Sequence, residues 1–153
     1  MTLSELLSGE LVLTKTICTT KNELISKLIE QIYCTKQNIP HTHEEVLSAI
    51  NVREHIGGTL LPSGLTIPHA RLKDFDGFII AIGIPGEALF HEGRQIHMMA
   101  LMITSQSGGP LYLPVLAALT KISKRSEFFS RLCEAENSKD FITILREHDP
   151  ELA

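Results

Sequence analysis

A neutral imidazole is nucleophilic at neutral pH without a helper base, because its ordinary pKa lies near 6.5. The chain carries seven histidines, and one of them sits in a stretch suited to hold it still. That stretch runs from Asn51 to Arg71, N-V-R-E-H-I-G-G-T-L-L-P-S-G-L-T-I-P-H-A-R. Gly57, Gly58 and Gly64 permit close backbone approach and positive φ. Leu65-Thr66-Ile67 is a short apolar, β-branched run. Pro68 fixes its own φ and pushes Ile67 towards an extended conformation. His69 therefore follows a rigid piece of chain. Local composition alone leaves a second reading open, a Gly/Pro loop with an incidental histidine.

The residues Arg53-Glu54, Gly58-Thr59 and Gly64-Leu65-Thr66-Ile67-Pro68-His69-Ala70 resemble the signature of the enzyme IIA domains of the bacterial phosphotransferase system. The class is the fructose–mannitol one, which includes the nitrogen-regulatory branch. The resemblance covers nearly the whole chain. It implies a single domain over residues 1–153, with a mixed parallel and antiparallel sheet of about five strands flanked by helices. It implies that His69 accepts a phosphoryl group from an HPr-like phosphocarrier protein.

Phosphoryl transfer asks a site for positioning and for electrostatic stabilisation of the moving group. Arg53 offers a planar cation with several donors for phosphate oxygens. Thr59 and Ser63 offer hydroxyl donors, and the amides around Gly57-Gly58 offer more. Arg53 has a purely structural alternative, a cation at a helix C-terminus. The chain departs from the family at one place. Transporting members carry a second histidine in an H-L-x-x-L pattern at the start of the helix after the last core strand. The matching segment here is Tyr112-Leu113-Pro114-Val115-Leu116. Tyr112 stands at the second-histidine position, and a phenol with a pKa near 10 is a poor proton acceptor at pH 7.

The remaining candidates are weaker. His41 and His43 have an H-x-H spacing without a third ligand close by, so they read as a solvated loop, and no metal site or other cofactor is expected. His97 reads as structural at the start of a strand. His55, His91 and His148 read as surface or loop residues. Cys18, Cys34 and Cys133 read as packed, and an odd, scattered set suits a reducing compartment.

The elements follow from period and punctuation. Leu3–Leu7 reads as a helical turn or irregular start, and 11–13 and 16–18 as short extended pieces. Thr20-x-x-Glu23 and Thr42-x-x-Glu45 are capping boxes. The first opens a helix with Leu24, Ile25, Leu28, Ile29 and Ile32 inward, stopping near Gln37-Asn38. The second opens a helix with Val46, Leu47 and Ile50 inward, Arg53 in its last turn. Residues 78–84 and 96–104 are apolar runs suited to strands buried on both faces. Pro110 reads as a helix start, Ser126 begins another, and Ser138 caps a last one carrying Phe141, Ile142 and Leu145 inward. The sum is an α/β layered domain.

The net charge is −4 and no long basic run occurs, so nucleic-acid binding is not expected. No apolar run approaches the roughly 18 residues of a membrane span, and the start lacks a signal-peptide pattern. A cytoplasmic protein is expected. Two functions remain open. One is a regulatory module whose phosphate state controls a target protein, and the other is a transport component passing phosphate to a IIB domain. A metal-dependent hydrolase lacks a ligand cluster.

Overall fold

The computed structural model describes residues 1–35 and 37–152. In chain order the elements are α1 (Leu3–Leu6), β1 (Val12–Thr16), α2 (Lys21–Cys34), α3 (His43–Ile56), β2 (Leu65–Thr66), β3 (His69–Leu72), β4 (Phe78–Pro85), β5 (Leu89–His91), β6 (Arg94–Ile96), β7 (Met98–Ser105), α4 (Tyr112–Ser123), α5 (Ser126–Cys133) and α6 (Ser138–Leu145).

The two apolar runs form the middle of one mixed sheet. β4 and β7 are antiparallel, with Ile80 opposite Met102 and Ile82 opposite Ala100. Side chains alternate between two cores, as a period of two requires. Ile80, Ile82, Ile84, Met98, Ala100 and Met102 pack with α1, α4, α5 and α6. Ile79, Ala81, Met99, Leu101 and Ile103 pack with α2 and α3. β1 lies parallel to β4. β2 and β3 lie end to end along β7, both parallel to it, with Leu65 opposite Met98 and His69 opposite Met102. They form one edge line interrupted at Ile67-Pro68. Pro68 has no N–H for a ladder, but its carbonyl accepts from the Met102 amide at 2.9 Å. The interruption is thereby pinned to the central strand.

Local chemistry moved several boundaries. The Thr35 hydroxyl donates to the Ile32 carbonyl at 2.8 Å, and α2 ends at Cys34 rather than near Gln37. Thr20 accepts from the Glu23 amide, but the Glu23 carboxylate turns to Thr19, so only half of that box forms. The box of Thr42 and Glu45 is complete. The two extended pieces expected near the start are one strand, ending at Thr16 before an exposed Ile17. The expected strand over 96–104 breaks at His97, whose amide donates to the Gly64 carbonyl at 2.8 Å. α4 starts at Tyr112, not Pro110, and Pro114 falls in its first turn, where a missing N–H costs nothing. Asn137 rather than Ser138 caps α6, accepting from the Asp140 amide at 2.8 Å, while the Ser138 hydroxyl donates to the Gly9 carbonyl. Leu47 and Ile142 are half-buried, and Ile144 takes the core position in α6. The hairpin of β5 and β6 was not anticipated. Its turn is Glu92-Gly93, both at positive φ, which is the primed-turn chemistry of a two-residue hairpin.

Gly64 joins the turn before β2 to His97. Its φ is +93°, and a Cβ there would come within 2.5 Å of the His97 ring. Gly64→Ala is expected to destabilise the fold by about 1–3 kcal/mol, read as a lowered denaturation midpoint. An unchanged midpoint would show that the turn relaxes freely.

Candidate functional site

His69 opens β3 and is 4% exposed. Strand alternation sends Ala70 and Leu72 into the core under α3 and sends His69 and Arg71 to the opposite face. The His69 Nδ1 lies 3.3 Å from the Ile67 carbonyl oxygen. A carbonyl only accepts, so this bond puts the proton on Nδ1 and leaves the lone pair on Nε2. The same carbonyl accepts the Thr59 hydroxyl, and the Ile67 amide donates back to the Thr59 carbonyl at 3.0 Å. The segment Thr59–Ile67 is thus closed on itself, and it holds the carbonyl that orients the ring.

Tyr112, the first residue of α4, places its hydroxyl 3.4 Å from His69 Nε2. The two rings are 5.4 Å apart between centroids and tilted by 53°. With the lone pair on Nε2, the phenol is the donor. The Arg71 guanidinium lies over the far ring, 5.1 Å from the Tyr112 centroid. Arg53, in the last turn of α3, donates to the Gly57 carbonyl at 2.6 Å. Its neighbour Glu54 pairs with Lys21 at 2.7 Å, where Lys21 is 6% and Glu54 14% exposed.

These surroundings lower the His69 pKa below the usual histidine value. Burial is the largest cause. The bond to Ile67 opposes it, the charges of Arg53 and Arg71 add to the lowering, and Glu54 offsets part of it. At pH 7 the ring is therefore neutral, buried and supplied with one free nitrogen. The arrangement suits a nitrogen nucleophile facing an incoming anion.

Of the candidates from sequence, Tyr112 meets His69, and the Arg53 charge is felt by the ring. The Thr59 hydroxyl is already used on the Ile67 carbonyl. Ser63 sits in the turn before β2, accepting from the Leu65 amide at 3.4 Å. That turn is beyond the Met98 end of β7, four positions from Met102, or about 13 Å along a strand. Arg71 was missed as a site residue. The signal was present, because a residue two after His69 in an extended run shares its face. His97 lies at Gly64, away from the His69 ring. His43 opens α3 and packs on Tyr33, whose hydroxyl donates to the His41 carbonyl. Among the described residues no three metal-binding side chains come together. Burial pushes the Cys133 thiol up to about 12, whereas Cys34 is exposed at the end of α2.

Residues 5–148 match the family described as phosphoenolpyruvate-dependent sugar phosphotransferase system, EIIA 2. No curated protein matches the chain by sequence. The fold resembles that of the nitrogen regulatory protein IIA-Ntr from Neisseria meningitidis, with a TM-score of 0.80, 18% identity, and 94% of this chain and 98% of that one covered. IIA mannitol from Escherichia coli gives a TM-score of 0.72 at 19% identity, covering 91% and 98%. The complex of enzyme IIA mannitol with phosphorylated enzyme IIB mannitol from the same organism gives 0.73 at 17%, covering 93% and 98%.

A ring-proton titration of His69 by NMR is expected to have its midpoint below about 6.5. The unfolded chain then takes up this proton at higher pH than the folded one. The contribution to stability is intact above about pH 6.5 and declines as pH falls from there towards the folded midpoint. A midpoint at or above 6.5 would contradict the burial account.

Proposed function

Because the chain belongs to the EIIA 2 family of the phosphoenolpyruvate-dependent sugar phosphotransferase system, we propose that it is a phosphocarrier and regulatory protein phosphorylated on His69. The donor is an HPr-like phosphocarrier, and the phosphate state controls binding to a target protein. The observation that carries this reading is the His69 ring itself, with its Nδ1 proton engaged by Ile67 and its Nε2 lone pair met, among the described residues, only by the Tyr112 hydroxyl.

In this reading Arg53 leaves the Gly57 carbonyl to neutralise the phosphoryl oxygens. Thr59 contributes by fixing the Ile67 carbonyl, and Ser63 by shaping the turn before β2. Tyr112 gives a hydrogen bond to a phosphoryl oxygen but takes no proton near neutral pH. That favours a lasting phosphoprotein, whose added charge alters a partner surface. The protein works in the cytoplasm, and among the described residues no helix is long and apolar enough to cross a membrane.

The second reading is transport, with His69 passing its phosphate to a IIB domain. It is supported by the likeness to IIA mannitol solved in complex with phosphorylated IIB mannitol.

Incubation with phosphoenolpyruvate, enzyme I and phosphocarrier is expected to give an acid-labile, alkali-stable label that His69→Ala abolishes. A persisting label in that variant would put the acceptor elsewhere. Arg53→Ala is expected to slow labelling by on the order of 100-fold while costing about 0.3–1 kcal/mol of stability. Normal labelling with a large drop in Tm would make Arg53 a helix-end residue only. Tyr112→His is expected to speed transfer to a IIB domain more than it changes labelling by the carrier. Unchanged transfer would return the transport reading to favour.

A further inference from the structure

We infer that Arg71, stacked on Tyr112, is a second phosphate-holding cation of the site, and that the two side chains act as one clamp on the phosphoryl group. The inference rests on the reading of His69 as phosphoryl acceptor and adds a residue to it.

Arg71 shares a strand face with His69, two positions on in β3. Its side chain is exposed, yet the guanidinium lies over the Tyr112 ring at 5.1 Å. Among the described residues no carboxylate comes within ion-pair distance of it and no acceptor takes its N–H groups. Its donors are therefore unspent. Arg53, by contrast, already donates to the Gly57 carbonyl at 2.6 Å. The Tyr112 hydroxyl stands 3.4 Å from Nε2, the region a phosphoryl group would enter. Three groups thus run in line: nucleophile, phenol, and a planar cation over the phenol face. A cation over the ring draws electron density from it, which makes the hydroxyl a better donor. The Arg71 charge also adds to the lowering of the His69 pKa.

The step is a substitution at phosphorus. The Nε2 lone pair forms the new N–P bond as the donor's N–P bond breaks and its electron pair returns to the donor nitrogen. The proton stays on Nδ1, donated to the Ile67 carbonyl, so the phosphorylated ring carries a formal positive charge that the phosphoryl oxygens offset. The Tyr112 hydroxyl moves from the lone pair to a non-bridging oxygen, and Arg71 donates to the oxygens on the same side. Charge spread over those oxygens meets a cation that needs no rearrangement of the fold.

The test is a double-mutant cycle of Arg71→Met and Tyr112→Phe, reading the initial rate of His69 labelling by the carrier and the phosphorylated fraction at equilibrium. Arg71→Met keeps the stem and leaves Tm unchanged. It is expected to reduce the labelling rate about tenfold or more, with partial rescue by Arg71→Lys. The double variant is expected to be little worse than the poorer single one. If the natural protein is labelled on His69 but Arg71→Met matches it in rate and equilibrium, the inference falls and the phosphoryl reading stands. If the two effects multiply independently, the shared clamp is wrong. If the natural protein takes no label on His69, both fall together.

Discussion

The carbonyl of Ile67 accepts from two side chains at once, the Thr59 hydroxyl and His69 Nδ1. That double use sets which ring nitrogen is free. Were the carbonyl to turn away, Nδ1 could lose its proton to Nε2 and the nucleophile would face the wrong way. Two backbone facts prevent this. The Ile67 amide is tied to Thr59, and the next carbonyl, that of Pro68, is tied to the Met102 amide on the central strand. Proline at 68 keeps Ile67 extended and removes a donor that would otherwise have sought a ladder partner. The His69 ring is thus positioned by a break in the sheet edge, and the break is held by β7.

Charge is arranged around that ring in two tiers. Lys21 and Glu54 form a buried pair between α2 and α3, and removal of one partner would leave the other charge stranded in a place where water cannot reach it well. This pair links the start of α2 to the last turn of α3, the turn that also carries Arg53. Nearer the surface, Arg53 and Arg71 carry the positive charges felt by the ring. Burial keeps His69 neutral, and the arginines reinforce that state. Cations that disfavour an imidazolium also favour an anion beside the ring, so in the proposed reading the acid-base behaviour of His69 and its phosphorylation share one cause.

Much of this was legible in the residues. The Asn51–Arg71 stretch announced a constrained histidine, the capping threonine at 42 located α3, and the runs at 78 and 96 marked the central strands. What was not legible depended on pairings across long sequence distances. His97 ends a strand because its amide goes to Gly64, some thirty positions away in the chain. The β5–β6 hairpin turns on Glu92-Gly93, where a glutamate holds the positive φ that Asn, Asp or Gly would signal in a sequence. Thr59 and Ser63 were read as free hydroxyls because a sequence does not show that backbone groups claim them. Arg71 lies outside the signature, and its place at the site depends on the strand conformation that puts it on the His69 face and on the stacking with Tyr112. Tyr112, which the family resemblance aligns with a second histidine, has its hydroxyl 3.4 Å from His69 Nε2.

The nitrogen that carries the phosphate tests the central claim most directly. Ring-nitrogen and phosphorus NMR of the phosphorylated protein distinguishes the two isomers of phosphohistidine. The geometry around Ile67 requires the N–P bond at Nε2, with the Nδ1 side still bonded to the carbonyl. A phosphoryl group on Nδ1 would contradict the account, because that nitrogen could accept it only after leaving the Ile67 carbonyl.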